Sequence, residues 1–307
     1  MSAAGENPQA SKAPAGIAEI APSHDCPTTR NHGARREPLG RPRIAVFDSG
    51  FGGLTVLRSI VALVPNASYL YFGDSARLPY GNKSRETVVR YTVEAARFLE
   101  KCGAQILVIG CNTASSLALY DVKSAVEIPV IGVIEPGADH AAELSRHREA
   151  IVIATENTVA SHAYQRALAR RGFATYEKAC PLLVPLVEEG WTDHPVTEQI
   201  ARIYVIEALR GAPPNSDVMV LGCTHYPLLR PLLRRVVPQR IEFVDPADST
   251  AQVVASLVSG SDPGCPNGEP TFRFFTTDSV EKFKRMVPLF LGRAVECAER
   301  VELETKG

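Results

Sequence analysis

Short apolar runs alternate along the chain with longer segments of helical periodicity. The runs, of four to six residues, begin at residue 44 and read IAVF, YLYF, ILVIG, PVIGV, IVIA, VMVLG and IEFV. Continuously apolar runs of this length are typical of strands buried on both faces of a parallel sheet. Helical patterns follow at 53–64, 84–102, 114–126, 138–146, 158–171, 195–210, 227–236 and 247–259. This succession predicts an α/β fold with mostly parallel strands.

The first half of this pattern is repeated in the second half. The segment RIAVFDSGFGGLTVLRSI aligns with AIVIATENTVASHAYQRAL, and YLYFGDSARLPYG aligns with ATYEKACPLLVPLVEEG. Three pairs of residues correspond at offsets of 107, 106 and 112 residues, namely Asp48 with Thr155, Pro79 with Pro185, and Cys111 with Cys223. Similar offsets in the same order indicate a duplication.

The duplication predicts two pseudo-symmetric three-layer α/β domains with mostly parallel sheets and an active site in the interdomain cleft. The first domain comprises residues 43–135 plus 245–300, because the strand-like TFRFFTT and a helix near 279–291 are expected to pack back on it. The second comprises residues 136–244. Residues 1–40, rich in Ala, Pro, Ser and Gly without a secretory apolar core, are interpreted as a disordered N-terminal arm.

Composition restricts the class of partner. The chain has 307 residues, which suggests about two domains, and its 33 Lys and Arg nearly balance 34 Asp and Glu. No field of one sign would attract nucleic acid or anionic lipid, and no run approaches the roughly 18 to 20 apolar residues that span a bilayer. We therefore expect a small-molecule substrate, no nucleic acid and no membrane.

The seven cysteines are odd in number and include no Cys-x-x-Cys pair, which favours a reduced, cytoplasmic location. Four of them have no group of polar residues around them and are interpreted as structural, namely Cys26, Cys102, Cys265 and Cys297. Cys180, which precedes PLLVPL, is interpreted as structural too. Cys111 in IGCNT and Cys223 in LGCTH differ, because each follows a glycine where a strand is predicted to end and a helix to begin. Unpaired N–H groups there are expected to lower the thiol pKa from about 8.5 toward neutrality.

Two equivalent thiols facing each other across a cleft suit one kind of chemistry best. Racemisation removes a proton from one face of a carbon and returns one to the other, so it needs an acid/base group on each side. A zinc site made of Cys111, Cys223 and His225 would lack the usual spacing, and a redox pair needs sulfurs in bonding contact. A hydrolase with one catalytic cysteine and a periplasmic-type binding module remain alternatives.

Polar residues after the predicted strands fit an amino-acid substrate. Glycines in DSGFGGL permit close backbone approach and offer N–H groups to a carboxylate, although Gly52 and Gly53 could also simply cap a helix. A dinucleotide fingerprint would require glycine where Thr55 stands. His225, next to a candidate thiol acid, could orient it or exchange protons with it, and otherwise would be a surface histidine.

Six segments together resemble the glutamate racemases of the aspartate/glutamate racemase family. They are VFDSGFGGLTVLRSI, YFGDSARLPYG, VIGCNTAS, IPVIGVIEPG, CPLLVPLVEEG and VLGCTHYPLL, and the resemblance runs from about residue 43 to about 260. Such enzymes interconvert L- and D-glutamate for bacterial peptidoglycan without a cofactor. The segment IATENT departs from the Gly-Thr start of many relatives, so the resemblance assigns no contact to Thr155 or Thr158.

The resemblance implies roles for individual residues. Cys111 would handle the α-proton of the D-enantiomer and Cys223 that of the L-enantiomer, assisted by Asp48, Glu188 and His225. The substrate-binding residues would be Asp48, Ser49, Tyr80, Gly81, Asn112, Thr113, Thr224 and His225. No lysine stands in a recognisable pyridoxal-binding context, and we expect no cofactor and no metal. A racemase of aspartate or another amino acid is the alternative, and a homodimer is possible.

Overall fold

The structure, a computed structural model, describes residues 41–259 and 269–303. The predicted arm at residues 1–40, with Cys26, and also Cys265 lie outside the described residues. Within the described ranges there are ten strands, β1 (Arg43–Asp48), β2 (Ser68–Gly73), β3 (Ile106–Ile109), β4 (Val130–Gly132), β5 (Glu149–Ala154), β6 (Ala174–Ala179), β7 (Val218–Gly222), β8 (Glu242–Val244), β9 (Thr271–Thr276) and β10 (Glu299–Arg300).

Twelve α-helices connect and cover the strands in the described part of the chain. They are α1 (Leu54–Leu63), α2 (Arg85–Lys101), α3 (Asn112–Leu117), α4 (Leu119–Lys123), α5 (Ile134–Leu144), α6 (Glu156–Ala160), α7 (Ala163–Ala169), α8 (Leu183–Glu188), α9 (Pro195–Gly211), α10 (Arg230–Val236), α11 (Pro246–Ser259) and α12 (Val280–Leu291). Two short 3-10 turns, Tyr80–Asn82 and Tyr226–Leu229, complete the elements.

The strands form two sheets in which every pairing is parallel. The first sheet has the order β10-β9-β2-β1-β3-β4 and the second the order β6-β5-β7-β8. The order β2-β1-β3-β4 recurs as β6-β5-β7-β8, which is the topology that the duplicated sequence predicts. The α/β class with parallel sheets is therefore confirmed, and β9 packs on the first sheet through β2, as the tail was expected to do. The domain boundaries stay a prediction.

Local breaks divide two of the predicted helices. The pattern at 158–171 contains α6 and α7, because His162 between them has a left-handed backbone with φ of 51°. The pattern at 114–126 contains α3 and α4, which are separated at Ala118. Helix α5 starts four residues before the predicted 138, since a proline such as Pro136 is tolerated in a first helical turn.

Strand β6 was hidden from the hydrophobic pattern because it lies at a sheet edge. Its sequence ATYEKA is half-buried or exposed throughout, whereas β2, SYLYFG, is fully buried. Only the alignment of the two halves pointed to a strand at this position. Edge strands pair on one side and face solvent, so they need no continuous apolar run.

The main hydrophobic core is continuous across both halves. It joins side chains of the first sheet, such as Val46 and Tyr71, with side chains of the second, such as Ile151 and Val220. A smaller core lies on the other side of the first sheet, where Phe72 and Leu107 pack with Val88 of α2. Because parallel strands end on the same edge of each sheet, the shared core brings the carboxyl ends of β1, β3, β5 and β7 together.

Candidate active site

A cavity of about 340 Å³ lies at the carboxyl ends of these strands. Both halves of the chain line it. Ten of the predicted site residues take part, namely Ser49, Tyr80, Gly81, Cys111, Asn112, Thr113, Glu188, Cys223, Thr224 and His225. Asp48, the remaining one, is 1% exposed and lies behind the wall rather than in it. The fold thus brings residues spread over positions 49–225 to a single cavity.

Cys111 is a buried thiol at the end of β3. It is the N-cap residue of α3, and its Sγ lies 3.4 Å from Ser49 Oγ. Burial, followed by the negative charge of Asp48, raises the pKa of Cys111 to about 12, although hydrogen bonds from Ser49 and the Ala114 backbone act in the opposite direction. The expected lowering of this pKa is therefore wrong, because a six-residue helix does not offset the desolvation of a buried thiolate. Cys111 is protonated at neutral pH.

Cys223 is equally buried but has different neighbours. Its Sγ lies 3.8 Å from His225 Nδ1, and His225 Nε2 lies 3.1 Å from Glu188 Oε1 at the end of α8. No α-helix begins directly after Cys223, because the 3-10 turn Tyr226–Leu229 follows it; that part of the prediction is wrong. The two thiols are thus inequivalent, one beside a hydroxyl and the other beside an imidazole.

His225 carries a positive charge at neutral pH. Burial disfavours the imidazolium, but hydrogen bonds and charge interactions with Cys223 and Glu188 outweigh it and raise the pKa of His225 to about 10. The ring of Phe290 contacts it edge-on, with centroids 5.2 Å apart. A buried imidazolium held between a carboxylate and a thiol can stabilise the thiolate that forms when Cys223 loses its proton.

Asp48 supports the site from behind. Its Oδ2 accepts a 2.9 Å hydrogen bond from the Gly50 N–H, which fixes the turn that carries Ser49. Burial raises the pKa of Asp48, against the opposing influence of the His225 charge and of backbone N–H groups. The Asp48 carboxyl group therefore interacts with residues of both halves, since its charge raises the pKa of Cys111 and the charge of His225 lowers its own pKa.

The glycines of GFGG allow the two halves to meet at the site. A Cβ atom on Gly52 would overlap Thr224 Oγ1 and lie 2.7 Å from His225 Nδ1, and one on Gly53 would lie 2.5 Å from Asp48 Cβ. Real Cβ contacts this short do not occur. Glycine is required at these positions for close approach, in addition to any role at the helix end.

We expect Gly52→Ala to lower turnover about 100-fold, because His225 and Thr224 would be displaced by a fraction of an ångström to an ångström. The measurement is kcat for the purified variant, with its thermal unfolding recorded in parallel. Full activity in a folded Gly52→Ala protein would show that this close approach does not position the site.

Hydrogen bonds across the cleft engage several predicted binding residues. The Tyr164 hydroxyl donates to Asn112 Oδ1 at 2.7 Å, and Thr113 Oγ1 lies 2.9 Å from Thr155 Oγ1. Thr155 and Thr158, to which the resemblance assigned no contact, thus face the first half, with Thr158 Oγ1 3.4 Å from Thr113 Oγ1. The Tyr80 hydroxyl, by contrast, donates to Asp74 Oδ2 inside the first half. The Tyr80–Asn82 turn therefore presents backbone groups to the cavity, and the Tyr80 hydroxyl is not available there.

Sequence reasoning missed several residues that line the cavity. They are Leu78, Pro79, Asn82, Thr155, Glu156, Pro181, Val184 and Pro185. The alignment of Pro79 with Pro185 was a signal for two of them, because equivalent positions in duplicated halves occupy equivalent places at the cleft. The apolar members carry no chemical signature that would distinguish them from core residues.

Further findings concern metal sites, membrane spans and the cysteines. Among the described residues, no group of three His, Cys, Asp or Glu could hold a metal ion, and no helix is long and apolar enough to cross a membrane. Cys102, Cys111, Cys180 and Cys223 are free thiols. Cys297 is half-buried and disulfide-bonded, so the expectation that the cysteines are reduced is wrong for this residue, whereas its interpretation as structural is not contradicted.

Comparisons with known proteins agree with this geometry. Residues 44–254 match the Asp/Glu/Hydantoin racemase family. A glutamate racemase from Koribacter versatilis is 55% identical over 285 residues, which cover 86% of this chain and 98% of that protein. The crystal structure of glutamate racemase from Francisella tularensis in complex with D-glutamate has a TM-score of 0.79 at 33% identity, covering 87% of this chain and 99% of that one.

A second solved structure gives the same result at a higher sequence identity than the first. The structure of glutamate racemase from Thermus thermophilus in complex with beta-chloro-D-alanine has a TM-score of 0.77 at 41% identity, and it covers 87% of this chain and 99% of its own. The family match, residues 44–254, includes every residue that lines the cavity. The chain belongs to the glutamate racemases of the Asp/Glu/Hydantoin racemase family.

Proposed function

We propose that this protein interconverts L-glutamate and D-glutamate by moving the α-proton between Cys111 and Cys223. The observation that carries the proposal is the placement of two free thiols, one from each duplicated half, on a single cavity. A reaction that removes a proton from one face of a carbon and adds one to the other uses both groups. A hydrolase with one nucleophilic cysteine would use only one.

In the direction from L- to D-glutamate, Cys223 acts as the base. Its thiolate, paired with the His225 imidazolium, takes the α-proton from one face of the substrate, and the Cys111 thiol donates a proton to the opposite face. The high pKa of Cys111 suits this role, because a buried thiol is fully protonated and ready to donate. Turnover leaves Cys223 as a thiol and Cys111 as a thiolate.

In the reverse direction, Cys111 must begin as the thiolate. Burial and Asp48 oppose that state, but the α-ammonium group of a bound amino acid supplies a positive charge close to it. Bound substrate therefore lowers the pKa of Cys111 relative to the unliganded site. Asp48 acts between the two thiols as an assisting group, and the Glu188–His225 pair assists Cys223 alone.

The carbanionic transition state needs electrostatic stabilisation, since the α-proton of an amino acid is far less acidic than a thiol. Hydrogen-bond donors around the cavity, including the hydroxyl groups of Ser49, Thr113 and Thr224 and backbone N–H groups after β1 and β3, can bind the substrate carboxylates. Burial of these dipoles away from water increases their effect. We propose that these residues bind the substrate and that no cofactor takes part.

Glutamate is favoured over aspartate as the substrate. The relatives matched at 33% to 55% identity are glutamate racemases, and one was solved with D-glutamate bound. We further propose that the product supplies D-glutamate for peptidoglycan synthesis, and hence for cell wall biogenesis and cell shape, in the cytoplasm. We also propose that the protein forms a homodimer, which analytical ultracentrifugation would test by its mass in solution.

The test is α-proton exchange in deuterated water. Purified protein with L-glutamate alone or D-glutamate alone is expected to reach the same racemic mixture, with deuterium incorporated at the α-carbon. No pyridoxal phosphate or metal salt is added, and a chelator is present. Exchange with aspartate but not with glutamate would favour the alternative racemase, whereas binding without exchange would favour a binding module.

A further inference from the structure

One side chain of the second half reaches across the cleft to the backbone of the first. Asn157 lies in α6, and its Nδ2 donates to the carbonyl oxygen of Tyr80 at 2.9 Å and to that of Lys83 at 2.6 Å. These acceptors are the first residue of the Tyr80–Asn82 turn and the residue directly after its last. Both N–H donors of a single amide group are thereby used on one turn.

The position of this turn matters for the cavity. Tyr80 and Gly81 line it, and the Tyr80 side chain is held by Asp74 elsewhere in the first half. At the same place, a Cβ atom on Gly81 would lie 3.1 Å from Thr155 Cβ, so the turn abuts the beginning of α6. Where the turn lies relative to α6 therefore determines the shape of the wall between the two halves.

The turn and α6 belong to different halves, and each half supplies one thiol. Cys111 lies in the half that contains the turn, whereas Cys223 lies in the half that contains Asn157. A substrate carbon must lie within reach of both sulfurs at once. A link between the turn and α6 therefore acts on the spacing that a two-thiol reaction requires.

We propose that Asn157 is a positioning residue, whose two hydrogen bonds hold the Tyr80–Asn82 turn against α6 and so keep the substrate pocket between the two thiols in its binding shape. Asn157 does not line the cavity and takes no part in proton transfer. Its loss acts on substrate binding more than on the chemical step. The kinetic side of this inference rests on the proposed function, but the link itself does not.

The kinetic experiment compares Asn157→Ala and Asn157→Asp with the unaltered protein. We expect KM for both enantiomers of glutamate to rise about tenfold in Asn157→Ala, since two hydrogen bonds that preorganise the turn are lost. We expect kcat to stay within about threefold. Asn157→Asp keeps the shape but places a carboxylate against two carbonyl oxygens, so its loss of affinity should be at least as large.

The matched control is Asn215→Ala. Asn215 is exposed, lies away from the cavity and donates through Nδ2 to Glu149 Oε1 at 3.3 Å. Its replacement should leave KM and kcat unchanged. If Asn157→Ala behaves like Asn215→Ala, or lowers kcat with KM unchanged, the proposal is overturned.

A second measurement does not depend on racemase activity. The rates at which iodoacetamide alkylates Cys111 and Cys223 are followed by peptide mass mapping, with buried Cys180 as the internal reference. We expect several-fold faster alkylation of the two cleft thiols in Asn157→Ala, because a released turn opens the cavity. Unchanged alkylation rates would refute the link. A protein that fails to racemise glutamate but shows this increase would refute the proposed function and leave the link standing.

Discussion

Cys111→Ser and Cys223→Ser are each expected to lose racemisation by at least about 1000-fold, while each keeps α-proton exchange with one enantiomer only. A serine hydroxyl has a far higher pKa than a thiol, so it does not form the anion that must act as the base at neutral pH. In Cys111→Ser, Cys223 can still remove the α-proton of L-glutamate and return a deuteron to the same face. In Cys223→Ser, the same one-sided exchange is expected with D-glutamate.

The measurement follows deuterium at the α-carbon by NMR and the enantiomer ratio by chiral chromatography in the same sample. Cys102→Ser is the matched control, because Cys102 is a free thiol outside the cavity, and it should racemise glutamate normally. Retained racemisation in either cleft variant would contradict the two-thiol mechanism. One dispensable and one indispensable thiol would instead indicate a reaction with a single nucleophilic cysteine.

Glu188→Gln is expected to move the high-pH limit of activity downward by at least about one pH unit, because the carboxylate helps to keep His225 protonated. Burial lowers the pKa of His225, but Cys223 and Glu188 raise it by more, so that it moves from about 6.5 to about 10. Removing the negative charge lowers that pKa. The imidazolium that stabilises the Cys223 thiolate is then lost at a lower pH, and kcat/KM falls there.

The measurement is a profile of kcat/KM from pH 6 to pH 11 in both directions. Since enantiomers have equal free energy in water, the equilibrium constant is one, and kcat/KM must be equal in the two directions for every variant. Glu189→Gln is the matched control, as Glu189 is adjacent and exposed and does not line the cavity. An unshifted profile in Glu188→Gln would show that the Glu188–His225 pair does not govern the Cys223 thiolate.

Much of the fold could be predicted because buried strands, helices and the duplication each leave a recognisable pattern in the sequence. Buried strands such as β1 and β7 read as continuous apolar runs, and the duplicated spacing anticipated the repeated strand order. Strand β6 could not be found by hydrophobicity, since an edge strand faces solvent. The breaks at Ala118 and His162 depend on backbone geometry that periodicity does not report.

The roles of the site residues stay a prediction, but the sequence indicated which residues share one cavity better than it indicated their electrostatic environment. Placement after parallel strands brings Cys111, Cys223 and their neighbours to one cavity, and ten of the predicted residues are found there. The pKa of Cys111 was predicted in the wrong direction. Local helix geometry suggested a lowered value, but burial and Asp48, which come from the tertiary packing, dominate.

The sequence by itself determined the α/β class, the duplication and the pair of thiols. Buried strands appear in it as apolar runs, and the duplication appears as matching segments at a nearly constant spacing. The tertiary structure alone decided that His225 is charged between Cys223 and Glu188, that Gly52 meets Thr224, and that Asn157 holds the Tyr80–Asn82 turn. Apart from that between Cys223 and His225, these contacts join residues 37 to 172 positions apart, and their energies depend on distance and burial in space. No pattern confined to neighbouring positions reports either quantity.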